Sequence, residues 1–585
     1  MFQRVSVLLS IASCLCAPSV AQTTTRVSVD SGGMQSNNES YDPTISVDGR
    51  YVAFASRATN LVAGDVNGFI DVFVHDRTTG ITTRVSGDGN DNCGTSSVSM
   101  SSDGRYVALW SGASDLVPGD TNGAPDVFVH DRVTGITKRV SLSSSDAQGN
   151  LSSGHPALSA DGRYVAFDST ATNLVPGDTN GFVDVFVRDR VSGTTTLVSV
   201  SSGGAQANFD CTAPSISADG RYVAFVSRAT NLVPGNTNGH ENVYVHDMSS
   251  GTTARMSTDS NGTAGDGGSS APSISSDGRW VAFHSFATNL VPGDTNGSMD
   301  VFVHDRVSGT TQLVSVDSSG TQGDHVSANA RISSDGRFVA FSSNADNLVP
   351  GDTNGFEDVF VHDMLTGTTT RVSVDSSGAQ GNLYSSVPSI SADGRLVAFW
   401  SWDSNLVPGD TNATGDVFVR DGGANASFTP FCFGDGSQAA CPCGNTGLPN
   451  HGCENSTSTG GATLAGAGVA SLSNDSVQLT SASEIASALS IVLQGSSYIA
   501  PVSFGDGLRC AGGSLKRLYS KNASGGSITV PQGAEPSISV RSSALGDTIP
   551  LGATRVYQVY YRDPNLGFCP CGFNATHAVA IAWGS

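Results

Sequence analysis

Lysine is almost missing from this chain: Lys138, Lys516 and Lys521 are the only three in 585 residues. Acidic residues are plentiful, 52 Asp and Glu against 30 Lys and Arg, for a formal net charge of −22. So acidic a surface is repelled by phosphate backbones and anionic headgroups, and no basic stripe overcomes that repulsion. Nucleic acid is not an expected partner. Long apolar runs are missing too: past residue 21 no stretch of about 20 apolar residues occurs, so membrane insertion is not expected. Cysteine is nearly absent from the first 430 residues, where only Cys93 and Cys211 follow the leader, so that region must hold together without crosslinks.

The leader itself, residues 1–21, reads as a secretory signal, with Arg4 ahead of a largely apolar run and Ser19-Val20-Ala21 for cleavage. The mature chain then starts near Gln22 with a charge of about −23, Arg4 having left, and is expected to be secreted, periplasmic or on the cell surface.

What is present is repetition. Asp-Gly-Arg returns at Asp48, Asp103, Asp161, Asp219, Asp277, Asp335 and Asp393, each time opening a near-copy of Tyr-Val-Ala-Phe. One step of 55 residues and five of 58 mark one unit copied seven times. In the third copy, Pro156–Ser159, Tyr164–Phe167, Asp184–Asp189 and Thr194–Val200 read as short strands. Turns at Asp161-Gly162 and Ser192-Gly193 and a long loop over 171–181 join them. Seven units of four antiparallel strands describe a seven-bladed β-propeller. The seventh copy stops after Asp421, one strand short, while Thr23–Asp30 matches Thr368–Asp375, the outer strand of copy six. An orphan first strand and a missing last one predict that the N-terminus completes blade seven and closes the ring.

The pattern Ser-Ala-Asp-Gly-Arg-Tyr-Val-Ala-Phe followed by Asp-Val-Phe-Val-His-Asp-Arg resembles the WD40-like (PD40) repeats of the TolB family of propellers, over roughly residues 23–424. The resemblance implies the fold and little about function, because such propellers serve as periplasmic scaffolds, peptidase gatekeepers and a few lyases.

Blade topology puts the short turns on one side of the ring and the Asn-Leu-Val-Pro-Gly loops on the other, together with inter-blade segments such as 146–155 and 317–325. Ligand binding is expected on that long-loop face. Directly after the second strand's conserved core the copies carry Ala55, Trp110, Asp168, Val226, His284, Ser342 and Trp400, with Trp402 close by. Trp110, Asp168, His284, Trp400 and Trp402 are therefore the candidate ligand-binding residues, aromatic and polar groups suited to carbohydrate or peptide. The plainer reading is that they fill gaps between blades.

Each long loop also resembles the later part of a calcium loop. Asp65/Asn67/Asp71, Asp120/Asn122/Asp126, Asp178/Asn180/Asp184, Asp294/Asn296/Asp300 and Asp352/Asn354/Asp358 place oxygens at alternating positions around a Gly, as a hard cation requires. Tight turns favour the same residues. The recurring His75, His130, His246, His304 and His362 give way to Arg188 and Arg420 in copies three and seven, which predicts a solvent-facing position. The adjoining aspartates, such as Asp189, are expected to meet the Arg of each Asp-Gly-Arg turn, here Arg163. Nucleophile-elbow, zinc-protease, Walker and dinucleotide motifs are missing. An enzyme would have to use unrepeated groups such as Asp168, His155, His284 and His325.

From about residue 425 to 585 the composition changes. Cys432, Cys441, Cys443, Cys453, Cys510, Cys569 and Cys571 crowd together, and 477–480, 489–493, 527–530 and 556–561 read as strands. A small disulfide-stabilised β-sandwich is expected, since Cys-Pro-Cys is not the spacing of zinc ribbons. The sequence thus predicts a secreted, non-enzymatic propeller binding protein or glycan, with calcium as the one cofactor its loops suggest. The alternative is a polysaccharide lyase or glycosidase on the same face.

Overall fold

The computed structural model describes residues 22–585 except 88–97, 236–237, 423–428, 432–440, 442–451, 454, 457–460, 468–469, 471–474, 476, 505–506, 533–534, 551–552, 564–572 and 584–585. The leader (1–21), Cys93, Cys432, Cys443, Cys569 and Cys571 lie outside the described residues.

Among the described residues the repeats form seven four-stranded antiparallel sheets, one per copy. In copy three the strands are Ser153–Leu158, Tyr164–Ser169, Asp184–Asp189 and Thr194–Leu197, paired in chain order. Blade seven is completed from the other end of the chain: Thr23–Arg26 pairs with Asp416–Asp421, Thr23 opposite Asp421 and Arg26 opposite Phe418. Neighbouring blades share their cores. Phe167 and Phe186 of blade three pack with Ala108, Val127 and Val129 of blade two, and Phe54 and Phe73 of blade one close against Ala398, Val417 and Val419 of blade seven. The first strands surround the axis, and just ahead of six of the seven Asp-Gly turns a backbone N–H reaches the next blade's carbonyl. These bonds run from Val47 through Ser102, Ala160, Ala218 and Ser276 to Ser334, and Ala392 bonds back to Val47. The ring is closed.

The structure explains each letter of the repeated tripeptide. The aspartate caps the turn: Asp161 Oδ1 accepts from the Ser159 hydroxyl at 2.7 Å and from the Arg163 amide at 2.9 Å. The glycine has φ near +70° in every copy, and a Cβ on Gly162 would sit 2.3 Å from the ring of Tyr106 in the preceding blade. The arginine forms the expected latch, Arg163 Nε and Nη2 donating to Asp189 at 3.0 and 2.7 Å, with the same pairing in all seven blades.

One expectation needs correction. The strand-three histidines do not face solvent: His75, His246, His304 and His362 are 5–7% exposed. Each Nδ1 lies 2.9 Å from a threonine hydroxyl on the fourth strand, and that hydroxyl donates to a carbonyl of the preceding blade, as Thr311 does to Thr258. With the threonine proton committed, Nδ1 must be the donor. Arg188 performs the same task in blade three, reaching the Ser143 carbonyl at 2.7 Å. The inter-blade segments are themselves bonded to the next blade. Ser144 accepts from the Thr195 amide of the next blade at 2.9 Å, and Ser202, Ser260, Ser318 and Ser376 repeat the contact.

Past the propeller lies a second β region. Its main sheet orders Thr429–Phe431, Ala578–Ala582, Thr554–Arg562, Leu489–Gly495 and Lys516–Asn522, with Phe573–Ala575 alongside. Thr463–Ala467, Gln478–Ala482 and Ile528–Val530 form a smaller sheet, and Ser497–Phe504 pairs with Gly507–Gly512. Its core gathers Val492, Leu518, Tyr557, Ile581 and Trp583. A seven-residue helix, Ile538–Ala544, was not signalled by the sequence pattern. Cys441 and Cys453 form a disulfide and Cys510 is also oxidised, whereas Cys211 is a buried free thiol whose pKa burial pushes up to about 12.

Candidate ligand-binding face

The geometry of the long-loop face begins in the first strand of each blade. Among the described residues, in every blade but the second, the strand slips register toward that face against its neighbour, at Gly154/Ala157 in blade three, and the residue inside the slip has positive φ: Asp42, His155, Ala213, Ala271, Asn329 and Val387 lie between +46° and +55°. Each such non-glycine residue costs on the order of 1 kcal/mol. The bulge sits directly before Pro or Ala in the sequence, and its side chain differs in every blade except the two alanines. Strand pairing sets the predicted variable position beside it, Asp168 opposite Gly154, His284 opposite Ser270 and Trp400 opposite Ser386.

These side chains meet across blades. Asp168, 5% exposed, lies 2.9 Å from His155 Nδ1 and accepts from the Ala213 amide of blade four at 3.2 Å. The hydrogen bond to Asp168 holds the His155 pKa above its ordinary value. His284 Nδ1 accepts from the Asn329 amide of blade six at 3.3 Å. Burial first, then the Arg331 charge, lowers the His284 pKa to about 4, while burial raises Asp42 to about 6 against the opposing pull of Arg331. Arg331 of blade six thus acts through its charge on both Asp42 of blade one and His284 of blade five, a set of three. His325 does not join it, being exposed and paired with its neighbour Asp324.

The tryptophans separate. Trp110 packs on the blade two–three core. Trp400 and Trp402 join Tyr384, whose ring lies 5.9 and 6.1 Å from theirs, and Phe356 stands 6.4 Å beyond. Phe356 and Tyr384 are 38% and 37% exposed, so the group is a platform open on one side. A Cβ on Gly415 would lie 2.3 Å from Trp400 Nε1 and 3.1 Å from Trp402 Nε1. The other copies carry Ile70, Pro125, Val183, Glu241, Met299 or Glu357 there, and only glycine leaves room for two indoles. Trp110, Trp400 and Trp402 all have buried indole nitrogens with no hydrogen-bond partner. Sequence reasoning missed Asp42, Arg331, Phe356, Tyr384 and Gly415; the glycine alone carried a readable signal.

In the long loops, Asn67, Asn180, Asn296 and Asn354 each use the side-chain oxygen to accept an amide two residues on, at 2.8–3.0 Å, and donate their amide to Asp71, Asp184, Asp300 and Asp358. That is the local bonding of a turn. Arg84 lies 3.1 Å from Asp65 and Arg371 3.0 Å from Asp352, supplying in those two loops the positive charge a metal would bring. No cluster of three or more His, Cys, Asp or Glu ready to hold a metal occurs among the described residues.

The opposite mouth is covered. Thr554 of the C-terminal region donates to Asp335 at 2.7 Å, and a cavity of about 730 Å³ lies between the axial residues Val47, Ser102, Ala160, Ala218 and Ser276 and residues such as Tyr498 and Pro550. Among the described residues, the contacts of the C-terminal region with the propeller fall on this short-turn side.

No known family model matches the sequence, and no curated protein matches it. Among solved structures the chain is similar to TolB from Acinetobacter baumannii, at 16% identity over 67% of this chain and 80% of that one, TM-score 0.31. It is similar to an oligogalacturonate lyase in complex with manganese, at 14% identity over 69% and 95%, TM-score 0.41. Pyrococcus horikoshii acylaminoacyl peptidase is a third, at 12% identity over 66% and 51%, TM-score 0.40. These are TolB and TolB-like propellers. Seven blades follow from this chain's own seven four-stranded sheets and the hydrogen bonds that join them in a ring.

Proposed function

We propose that this is an exported, non-enzymatic propeller that binds a glycan, free or on a protein, at its long-loop mouth. One observation carries the reading: the half-exposed Phe356–Tyr384–Trp400–Trp402 aromatic platform. Aromatic faces stack on the C–H faces of sugars. The net charge of −22 favours neutral over uronate-rich chains. The Cys441–Cys453 disulfide agrees with an oxidising compartment.

The His155–Asp168 pair supports the second reading, a lyase or glycosidase, because an imidazole oriented by a carboxylate can move a proton. A panel of neutral and acidic polysaccharides separates the two. Retention without chain shortening or new unsaturated ends, lost in Tyr384→Ala, supports the binding module. Turnover abolished by His155→Ala would replace it with the enzyme.

A further inference from the structure

In four blades the fourth strand ends on an arginine that lies between two long-loop aspartates. Arg84 is 3.1 Å from Asp65 and 3.4 Å from Asp71; Arg139 is 3.1 Å from Asp120 and 3.3 Å from Asp126. Arg371 is 3.0 Å from Asp352 and 3.4 Å from Asp358, and Arg26 is 3.7 Å from Asp410 and 3.4 Å from Asp416. Blade four keeps Arg255 but has Asn242 in place of the second aspartate. Blades three and five carry Leu197 and Leu313 where the arginine belongs.

Blade five makes up for the loss with an amide, Gln322 Nε2 bridging Asp294 at 2.7 Å and Asp300 at 2.9 Å. In blade three the matching Gln206 turns away and donates to the Gly177 carbonyl at 2.9 Å. Asp178 is left 9% exposed, its Oδ1 buried without a partner. Beside it Asp184 is fully buried, accepting from Ser199 at 2.5 Å and Asn180 at 2.7 Å. Two neighbouring carboxylates in so dry a place need a positive charge or a shared proton.

We propose that blade three binds a hard divalent cation between Asp178 and Asp184, at the place where its sister blades hold a guanidinium. Carboxylate oxygens suit such an ion, and backbone carbonyls and water complete its shell. Leu197 keeps the apolar packing of the arginine stem and brings no positive charge of its own.

Calcium is the probe, titrated calorimetrically into the chelator-treated full-length protein, with melting followed in parallel. The expected result is one site with Kd on the order of 10⁻⁴ to 10⁻³ M and a melting temperature raised by calcium. Leu197→Arg copies an arrangement that four sister blades already fold with. It should weaken calcium binding by about tenfold or more and raise the melting temperature of the metal-free protein. Asp178→Asn should weaken binding likewise, and Asp294→Asn should not. A wild-type protein unmoved by millimolar calcium, undiminished binding in Leu197→Arg, or equal losses in Asp178→Asn and Asp294→Asn would each overturn the site.

Discussion

Thr24, in the first strand of the propeller, donates its hydroxyl to the Val374 carbonyl at 2.5 Å, repeating across the closure the contact that Thr369 makes to Val316 one blade earlier. Its amide also donates to Ser376 at 3.0 Å, as Thr369 does to Ser318. The seam is bonded like every other blade junction.

Thr24→Ala should therefore destabilise the protein about as much as Thr369→Ala, by about 1 kcal/mol each. Deleting residues 22–28 removes the whole fourth strand of blade seven and should abolish cooperative melting. Calorimetry checks both; a deletion variant that melts like wild type would show that the ring does not depend on its clasp.

The seven Arg–Asp latches are alike in geometry and unlike in setting. Arg337 has a side chain 9% exposed, whereas Arg221 is 45% exposed, because the C-terminal region covers the turn that carries Arg337. Arg337→Ala should cost about 3 kcal/mol by leaving Asp363 buried without its cation, and Arg221→Ala much less. Equal urea midpoints for the two variants would refute the difference.

His304→Ala should lose about 1–2 kcal/mol through its broken link to Thr311, while His304→Arg should be nearly neutral. Blades three and seven already place Arg188 and Arg420 there, reaching carbonyls of the preceding blade at 2.7 and 2.8 Å. Chemical denaturation of the pair tests this.

His284 sets a pH dependence. Its folded pKa is lowered to about 4 from 6.5, so between these values the unfolded chain binds more protons and stability must fall as pH falls. That contribution is complete above pH 6.5 and lost on approaching pH 4. His284→Asn should flatten the melting temperature over this window, and the imidazole resonances of the wild type should titrate near 4 rather than 6.5.

Spacing made the architecture legible. Seven Asp-Gly-Arg turns and one orphan Thr-Thr-Thr-Arg strand were enough to number the blades and close the ring, because each position has a local physical cause: a cap, a positive φ, a latch. The burial of His304 was not legible, since alternation with arginine looks like solvent exposure until Thr311 and the preceding blade's carbonyl are seen beside it. The bulges at Asp42 and His155 were hidden for a similar reason, because positive φ was imposed there on ordinary residues and not on glycine. Leu197 stood openly against Arg139 and Arg371 in the repeat. Its meaning depends on the distances from those guanidinium groups to their aspartate pairs, which no alignment of copies contains.

The pairing of Thr23 with Asp421 has a mechanical consequence. The ring's two chain ends leave blade seven side by side, so a load applied between the N-terminus and the C-terminal region pulls on one end of one antiparallel ladder. Its hydrogen bonds would break in succession, as in a zip, instead of sharing the force in shear. A pulling experiment on a single molecule should record a low-force first step that releases about one strand, after which the six remaining blades have lost their hoop and unravel in turn.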